Sequence, residues 1–104
     1  MSARAGKKIY LRGLFIHAKF RNHNEAIPSD IIRVGFTCSK KVGNAVNRNL
    51  AKRRLKAISR EILPQFGRRG WDYILIGRQK ETIDTPIDEL RTDLIKGLAQ
   101  IHLE

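Results

Sequence analysis

One segment of the chain combines many cations with a regular spacing and no compensating acid. From Ile31 to Arg60 there are nine lysines or arginines and not one aspartate or glutamate. Basic side chains hold phosphate groups through charge and hydrogen bonds. A segment without carboxylates cannot neutralise itself, so it needs an external polyanion or counterions. The chemistry that this segment predicts is binding to a nucleic-acid backbone.

The second half of this segment is spaced as an amphipathic helix. Apolar residues recur at three- and four-residue intervals between Ala45 and Leu63, which is the pattern of a helix with one buried face. Gly43 and Asn44 predict its start as a breaker and an N-cap, and Pro64 with Gly67 predict its end. We therefore expect a helix that docks on the rest of the protein and presents its polar side.

The polar side of this helix is basic along its whole length. Solvated helix faces usually pair acids with bases one turn apart, whereas here like charges follow one another, as at Arg48 and Lys52. This spacing favours nucleic-acid contact over a merely solvated face, and Asn49 can add hydrogen bonds to phosphate or ribose. The helical wheel places Leu50 and Arg54 on the apolar side, from which the long stem of Arg54 can reach solvent. The predicted basic face consists of Arg48, Asn49, Lys52, Arg53, Lys56 and Arg60.

A β-strand earlier in the chain offers a second set of binding side chains. Leu14 to Phe20 favours a strand, in which alternate side chains point to opposite faces. One set is apolar and suits the core, while the other consists of Phe15, His17 and Lys19. An aromatic ring, an imidazole and a cation can stack unpaired bases and hold a backbone. On composition alone, ordinary surface or core packing of Phe15 and His17 is an equal alternative.

The remaining pattern predicts one domain over residues 1–104 with an α/β sandwich fold. The predicted elements are a hairpin of Lys7 to Leu11 and Leu14 to Phe20, a loop from Arg21 to Asp30, a strand from Ile31 to Cys38, the basic helix, a strand from Asp72 to Gly77, and a final helix with Thr85 as N-cap and Pro86 at its first position. This order indicates a four-stranded mixed sheet with two packed helices. The strands flanking the basic helix are expected to be parallel, with the generally favoured right-handed crossover.

Composition excludes several other classes of protein. Cys38 is the only cysteine, so the chain has no intrachain disulfide and no thiolate zinc cluster. His17, His23 and His102 lack metal-ligand spacing, and no catalytic set of side chains is present. No segment resembles a signal peptide or approaches the roughly 18 apolar residues of a membrane span. We expect a cytoplasmic protein without a membrane partner, whose net charge of +11 favours nucleic acid.

The segment SKKVGNAVNRNLAKRRLK resembles the signature of the protein subunit of bacterial ribonuclease P, and the resemblance extends over most of the chain. It implies a ribosomal-protein-like α+β fold whose crossover is left-handed, against the general preference. It also implies two RNA partners, the catalytic ribonuclease P RNA and the 5′ leader of precursor tRNA. The reactive groups and most of the bound Mg²⁺ would then belong to the RNA, and no protein partner is required.

The resemblance assigns roles to individual residues. Arg48 and Asn49 match the first two signature positions, and Lys52 with Arg53 match the basic pair that follows. The third signature position is Leu50 where the family has arginine, so Arg54 is expected to substitute for it in part. The family also has a helix before the first strand, and because this sequence starts almost at that strand we expect the helix to be missing. The implied RNA-binding set is Lys40, Lys41, Arg48, Asn49, Lys52, Arg53, Arg54, Lys56 and Arg60, and the implied leader-binding set is Phe15, His17 and Lys19.

Two other functions share some of these features. A non-catalytic ribosomal or general RNA-binding protein would have the same charge and fold class, but it has no reason to keep the spacing of Arg48, Asn49, Lys52 and Arg53. A DNA-binding module is a weaker alternative, because the sequence shows no short recognition helix joined to a dimerisation element.

Overall fold

The computed structural model describes residues 6–21, 31–38, 45–78 and 80–103. Its elements, in chain order, are β1 (Lys7–Tyr10), β2 (Leu14–Phe20), β3 (Arg33–Cys38), α1 (Ala45–Phe66), β4 (Trp71–Gly77), α2 (Glu81–Asp84) and α3 (Ile87–Ile101). The four strands form one sheet in the order β1-β2-β4-β3. Strands β1, β2 and β4 are antiparallel neighbours, and β3 lies parallel to β4 at the edge.

This arrangement confirms the predicted four-stranded mixed sheet, the hairpin and the parallel pair around the basic helix. The left-handed crossover stays a prediction. The predicted loop lies almost wholly outside the described residues, as do the N-cap Asn44 and the lysine pair Lys40 and Lys41. No helix in the described ranges is long and apolar enough to cross a membrane.

The core lies on one face of the sheet only. Alternate residues of β2 and β4 are buried against the helices, because side chains along a strand point to the two faces in turn. Helices α1 and α3 contribute residues at three- and four-residue intervals, which form one stripe on each helix. The core residues of these four elements are Leu14, Ile16, Ala18, Leu55, Ile58, Ile62, Leu63, Tyr73, Leu75, Leu90, Leu94, Leu98 and Ile101. The opposite face of the sheet carries no helix among the described elements.

Helix α1 continues past Pro64 to Phe66, so the predicted end at Leu63 is wrong. Proline removes one helical hydrogen bond, but the turn that follows Pro64 is still closed by a hydrogen bond of the helical type. Here the amide of Gly67 donates to the carbonyl of Leu63 at 2.8 Å. The chain then turns into β4 through Gly70, whose φ of 82° lies in the left-handed region that favours glycine.

The start of the last helix also differs from the prediction. Thr85 is not the N-cap of α3; it ends the short helix α2, and Pro86 occupies the cap position without a side-chain hydrogen bond. Helix α2 is held from outside by two residues distant in sequence. The buried hydroxyl of Thr82 donates to the carbonyl of Gly13 at 2.5 Å, and Arg54 donates to backbone carbonyls at the end of α2. Four residues are too short for a periodic signal, so the sequence did not predict this helix.

Candidate nucleic-acid interface

The polar side of α1 presents the predicted cations to solvent. Its buried side packs into the core through Leu55, Ile58 and Ile62, and most of the side chains on the opposite side are exposed. The predicted face keeps its composition, with exposed Arg48, Asn49, Arg53, Lys56 and Arg60 and half-buried Lys52. We call these six residues the basic face. The structure therefore confirms the separation of charge from core along this helix.

The cations of the basic face form no ion pair with a carboxylate of the described residues. Ion pairs in the described ranges are made by Arg21, Arg33, Arg78 and Arg91, all outside the basic face. None of the five cations of the basic face lies within ion-pair distance of a described carboxylate. Uncompensated cations so close together repel one another, and a polyanion would relieve that repulsion.

Helix α1 lies against β3, which places the basic face beside this edge of the sheet. The Nζ of Lys56 lies 5.9 Å from the centre of the Phe36 ring, and the Sγ of Cys38 contacts the carbonyl oxygen of Arg48 at 3.6 Å. Burial raises the pKa of the Cys38 thiol and outweighs the opposing charges of Lys52 and Arg48. Cys38 therefore stays a protonated packing residue, as its place in an apolar strand suggests.

Leu50, which the helical wheel places on the apolar side of α1, is 37% exposed, and the apolar Val46 one turn before it is 74% exposed. The first turns of α1 therefore extend beyond the core. Arg54 does approach the core side, but its Nε donates to the carbonyl of Thr82 at 2.9 Å and its Nη2 donates to the carbonyl of Thr85. Arg54 thus has a structural role in holding α2, and it is not part of the interface that we propose below.

The uncovered face of the sheet brings together side chains from all four strands. Paired residues in a regular register point to the same face, so the strand pairing defines three rows across the sheet. The rows are Tyr10, Phe15, Ile76 and Thr37; Lys8, His17, Ile74 and Gly35; and Lys19, Asp72 and Arg33. We call this surface the open face. It contains the predicted set Phe15, His17 and Lys19 and adds residues that the sequence did not single out.

An aromatic group occupies one end of the open face. The rings of Tyr10 and Phe15 meet edge to face with centres 4.9 Å apart, and the guanidinium carbon of Arg78 lies 5.0 Å from the centre of the Phe15 ring. Tyr10 is 64% exposed. Fixed aromatic rings beside a cation are the groups on which single-stranded bases stack.

His17 lies in the middle of the open face, beside a shallow hollow of about 270 Å³. Burial lowers the pKa of His17, and the neighbouring charge of Lys8 lowers it further. The imidazole is therefore neutral at pH 7 and can both donate and accept a hydrogen bond. Lys8 and Lys19 are exposed on either side of it, so positive charge flanks a neutral, partly apolar floor.

The one carboxylate of the open face, Asp72, is paired with two arginines of the protein. Asp72 accepts from the buried Arg21 at 2.6 Å and from Arg33 at 2.5 and 3.0 Å. Burial alone would raise the pKa of Asp72, but hydrogen bonds from Arg33 and Arg21 outweigh it and lower the pKa below its usual value. Asp72 therefore stays ionised and paired, and it does not repel a polyanion as a free carboxylate would.

Comparison with known proteins decides the family. The family model described as ribonuclease P matches residues 2–102. The ribonuclease P protein component of Ruegeria pomeroyi is 53% identical over 89 residues, which cover 86% of this chain and 69% of that protein. That of Paramagnetospirillum magneticum is 45% identical over 75 residues, which cover 72% of this chain and 56% of that protein. The chain belongs to the ribonuclease P protein family.

Solved structures of ribonuclease P proteins share the fold. The protein from Thermotoga maritima matches with a TM-score of 0.73 at 22% identity, over 92% of this chain and 84% of that one. The protein from Staphylococcus aureus matches with a TM-score of 0.68 at 26% identity, over 93% of this chain and 82% of that one. Ribonuclease P proteins are subunits of an endoribonuclease that acts on tRNA precursors. This chain is accordingly an RNA-binding subunit of that kind and not a general ribosomal protein.

The ribonuclease P family implies Mg²⁺, which needs several oxygen ligands in an octahedral arrangement. Within the described ranges, no group of three or more His, Cys, Asp or Glu side chains could hold a metal ion. Asp72, the carboxylate of the open face, is occupied by two arginines. The described residues therefore do not fit a Mg²⁺ site held by this chain.

Proposed function

We propose that the chain binds the ribonuclease P RNA through the basic face of α1 and holds the 5′ leader of precursor tRNA on the open face of the sheet. The observation that carries this proposal is the presence of two surfaces with different chemistry. One is a row of uncompensated cations, and the other is a sheet surface with aromatic and apolar groups between cations. A folded RNA offers mainly phosphates, whereas a single strand also offers unstacked bases.

The basic face suits the backbone of a structured RNA. Its cations are spread along about three and a half turns of α1, from Arg48 to Arg60, so they can contact several phosphates along a groove or a helix edge. Arginine side chains can donate two parallel hydrogen bonds to one phosphate, and Asn49 can bond to a phosphate or a ribose hydroxyl. Lys40 and Lys41 precede α1 in the chain, and we propose that they extend this contact.

The open face suits a short single strand. Phe15 and Tyr10 offer ring surfaces, His17 offers a neutral hydrogen-bonding group, and Lys8 and Lys19 offer charge to the backbone. Base stacking tolerates any sequence because every base has a flat face. This property fits a leader that differs from one precursor tRNA to the next.

Together, the two surfaces would raise affinity for substrate over product. A precursor differs from its mature tRNA by the leader, so contacts on the open face stabilise the substrate complex alone. The basic face would lower the repulsion between RNA phosphates, which otherwise requires divalent cations. Cleavage itself is assigned to the RNA, and Mg²⁺ bound by the RNA would supply the activated water and charge stabilisation. This chain positions the leader, and we place it with its RNA partners in the cytoplasm.

Reconstitution with a bacterial ribonuclease P RNA tests the proposed subunit function. At low Mg²⁺, the protein is expected to allow precursor-tRNA cleavage that the RNA alone performs poorly, because protein cations take over part of the charge screening. The measurement is the initial rate of leader release with and without protein over a Mg²⁺ series. A rate that the protein does not change at any Mg²⁺ concentration would contradict the proposal.

Substitution of Phe15 or His17 by alanine tests the leader assignment. Each change is expected to weaken binding of precursor tRNA to the reconstituted enzyme about tenfold, the contribution of roughly one stacked base. Binding of mature tRNA and of the ribonuclease P RNA should stay unchanged. Phe66→Ala is the matched control, because Phe66 is an exposed phenylalanine at the end of α1, away from the open face. Equal losses for precursor and mature tRNA would refute the assignment.

A further inference from the structure

Gly35 lies in the middle of β3, where the described residues give no structural reason for a glycine. Glycine weakens a strand because it has no side chain to pack and loses more backbone freedom on folding. A positive φ would justify it, but Gly70 alone has one among the described glycines. A bulge would also justify it, yet β3 pairs with β4 without interruption from Arg33 to Cys38.

Packing is the third ordinary reason for glycine, and it does not apply to Gly35 either. No described atom lies within 4 Å of a Cβ built on Gly35, whereas a Cβ on Gly97 would lie 2.5 Å from the Cδ1 of Ile16 and 2.7 Å from that of Leu11. Gly97 is therefore required by the close approach of α3 to the sheet. The space above Gly35 is therefore open among the described residues, and close approach of a ligand is a further reason for a glycine inside a strand.

The position of Gly35 identifies the kind of ligand. It lies on the open face in one row with His17 and Ile74, and Ile74 is 44% exposed. Arg33 and Lys8 lie on the same face, and its carboxylate is already paired with two arginines. The surface beside His17 is thus flat, partly apolar and bordered by cations, which matches a nucleotide with its base lying on the sheet.

We propose that Gly35 and Ile74 form the floor of a nucleotide subsite, where one unstacked nucleotide of the leader lies directly against the backbone of β3. This subsite rests on the proposed leader-binding function. It adds the contact that determines how closely the leader approaches the sheet. Flat groups gain most from contact at about 3.5 to 4.0 Å. Any side chain at position 35 would hold the nucleotide off the floor and away from His17.

A graded pair of substitutions, Gly35→Ala and Gly35→Val, tests this subsite in the reconstituted enzyme. Valine favours strands, and no described atom lies within 4 Å of a Cβ at position 35, so the melting temperature of the free protein should stay the same or rise. Affinity for precursor tRNA should fall by a few fold for alanine and about tenfold or more for valine. Affinity for mature tRNA and for the ribonuclease P RNA should not change. Gly97→Ala serves as the contrasting control, with a lower melting temperature.

Each other outcome would overturn the subsite. A lower melting temperature for Gly35→Val would show that the glycine is needed within the protein itself. Equal losses for precursor and mature tRNA would place the tRNA body, not the leader, over Gly35. Unchanged precursor affinity in Gly35→Val, with the expected loss in Phe15→Ala, would remove the subsite and keep the leader-binding face. If neither Gly35→Val nor Phe15→Ala changed the affinity for precursor tRNA, the leader-binding proposal itself would be refuted.

Discussion

Replacement of Arg48, Arg53 and Arg60 by glutamine is expected to weaken binding of the ribonuclease P RNA on the order of 1000-fold, because each lost charged contact contributes roughly 1.4 kcal/mol, a factor of ten. The three arginines are exposed on the basic face and have no acidic partner among the described residues. Their replacement should therefore change the stability of the free protein little. Loss of like charges along α1 should leave its stability unchanged or raise it by a few tenths of a kcal/mol.

Salt dependence shows whether the loss comes from phosphate contacts. Each phosphate contact adds about 0.9 to the slope of log affinity against log salt, so the triple variant should have a slope smaller by about 2.7. The measurement is a titration of labelled ribonuclease P RNA with protein at several salt concentrations. If the affinity fell while the slope stayed the same, the arginines would act through the fold and not through phosphates.

A matched triple variant controls for net charge. Lys80, Arg91 and Lys96 lie outside the basic face, and their replacement by glutamine removes the same charge from the chain. Arg91 gives up two surface ion pairs with Glu61 and Asp88, which contribute little to stability when they are exposed. This control should lose only a few fold in affinity. Losses of similar size in both variants would mean that net charge, and not the basic face, attracts the RNA.

The basic face was predictable because its signal is local. The spacing of Leu55, Ile58 and Ile62 sets the buried side of α1, and the cations fall opposite it at 100° per residue. Strand β2 was equally visible, since Phe15 and His17 alternate with apolar residues. Such patterns need no knowledge of which elements become neighbours.

The open face as a whole could not be predicted, because it depends on pairing between distant segments. Ile74 reaches His17 only through the antiparallel register of β2 and β4, and Gly35 joins them through the parallel register of β3. A shift by one residue would move all these side chains to the other face. Arg54 illustrates the same limit: the wheel placed it correctly on the core side, but its partners belong to α2, which has no sequence signal of its own.

The second large expected effect is a loss of stability when Asp72 is removed from its pairing with Arg21 and Arg33. Asp72→Ala is expected to lower the free energy of unfolding by about 3 kcal/mol, because it leaves the guanidinium of Arg21 buried without its carboxylate. The Arg21 side chain is 1% exposed, and that of Arg33 is 50% exposed. Arg33→Gln, the matched control, should therefore cost less than about 1 kcal/mol. Urea unfolding of the three proteins at pH 7 measures both values.

The pH dependence of that difference tests its electrostatic origin. Hydrogen bonds from Arg33 and Arg21 overcome the effect of burial and lower the pKa of Asp72 in the folded state, whereas the unfolded chain titrates near the usual value of about 3.9. Ionised Asp72 thus stabilises the fold above that value, and the contribution is lost as pH falls through the lowered folded pKa. The gap in stability between wild type and Asp72→Ala should therefore narrow in acid. A gap of constant size down to pH values below about 2 would mean that Asp72 acts through packing, and not through its charge on Arg21.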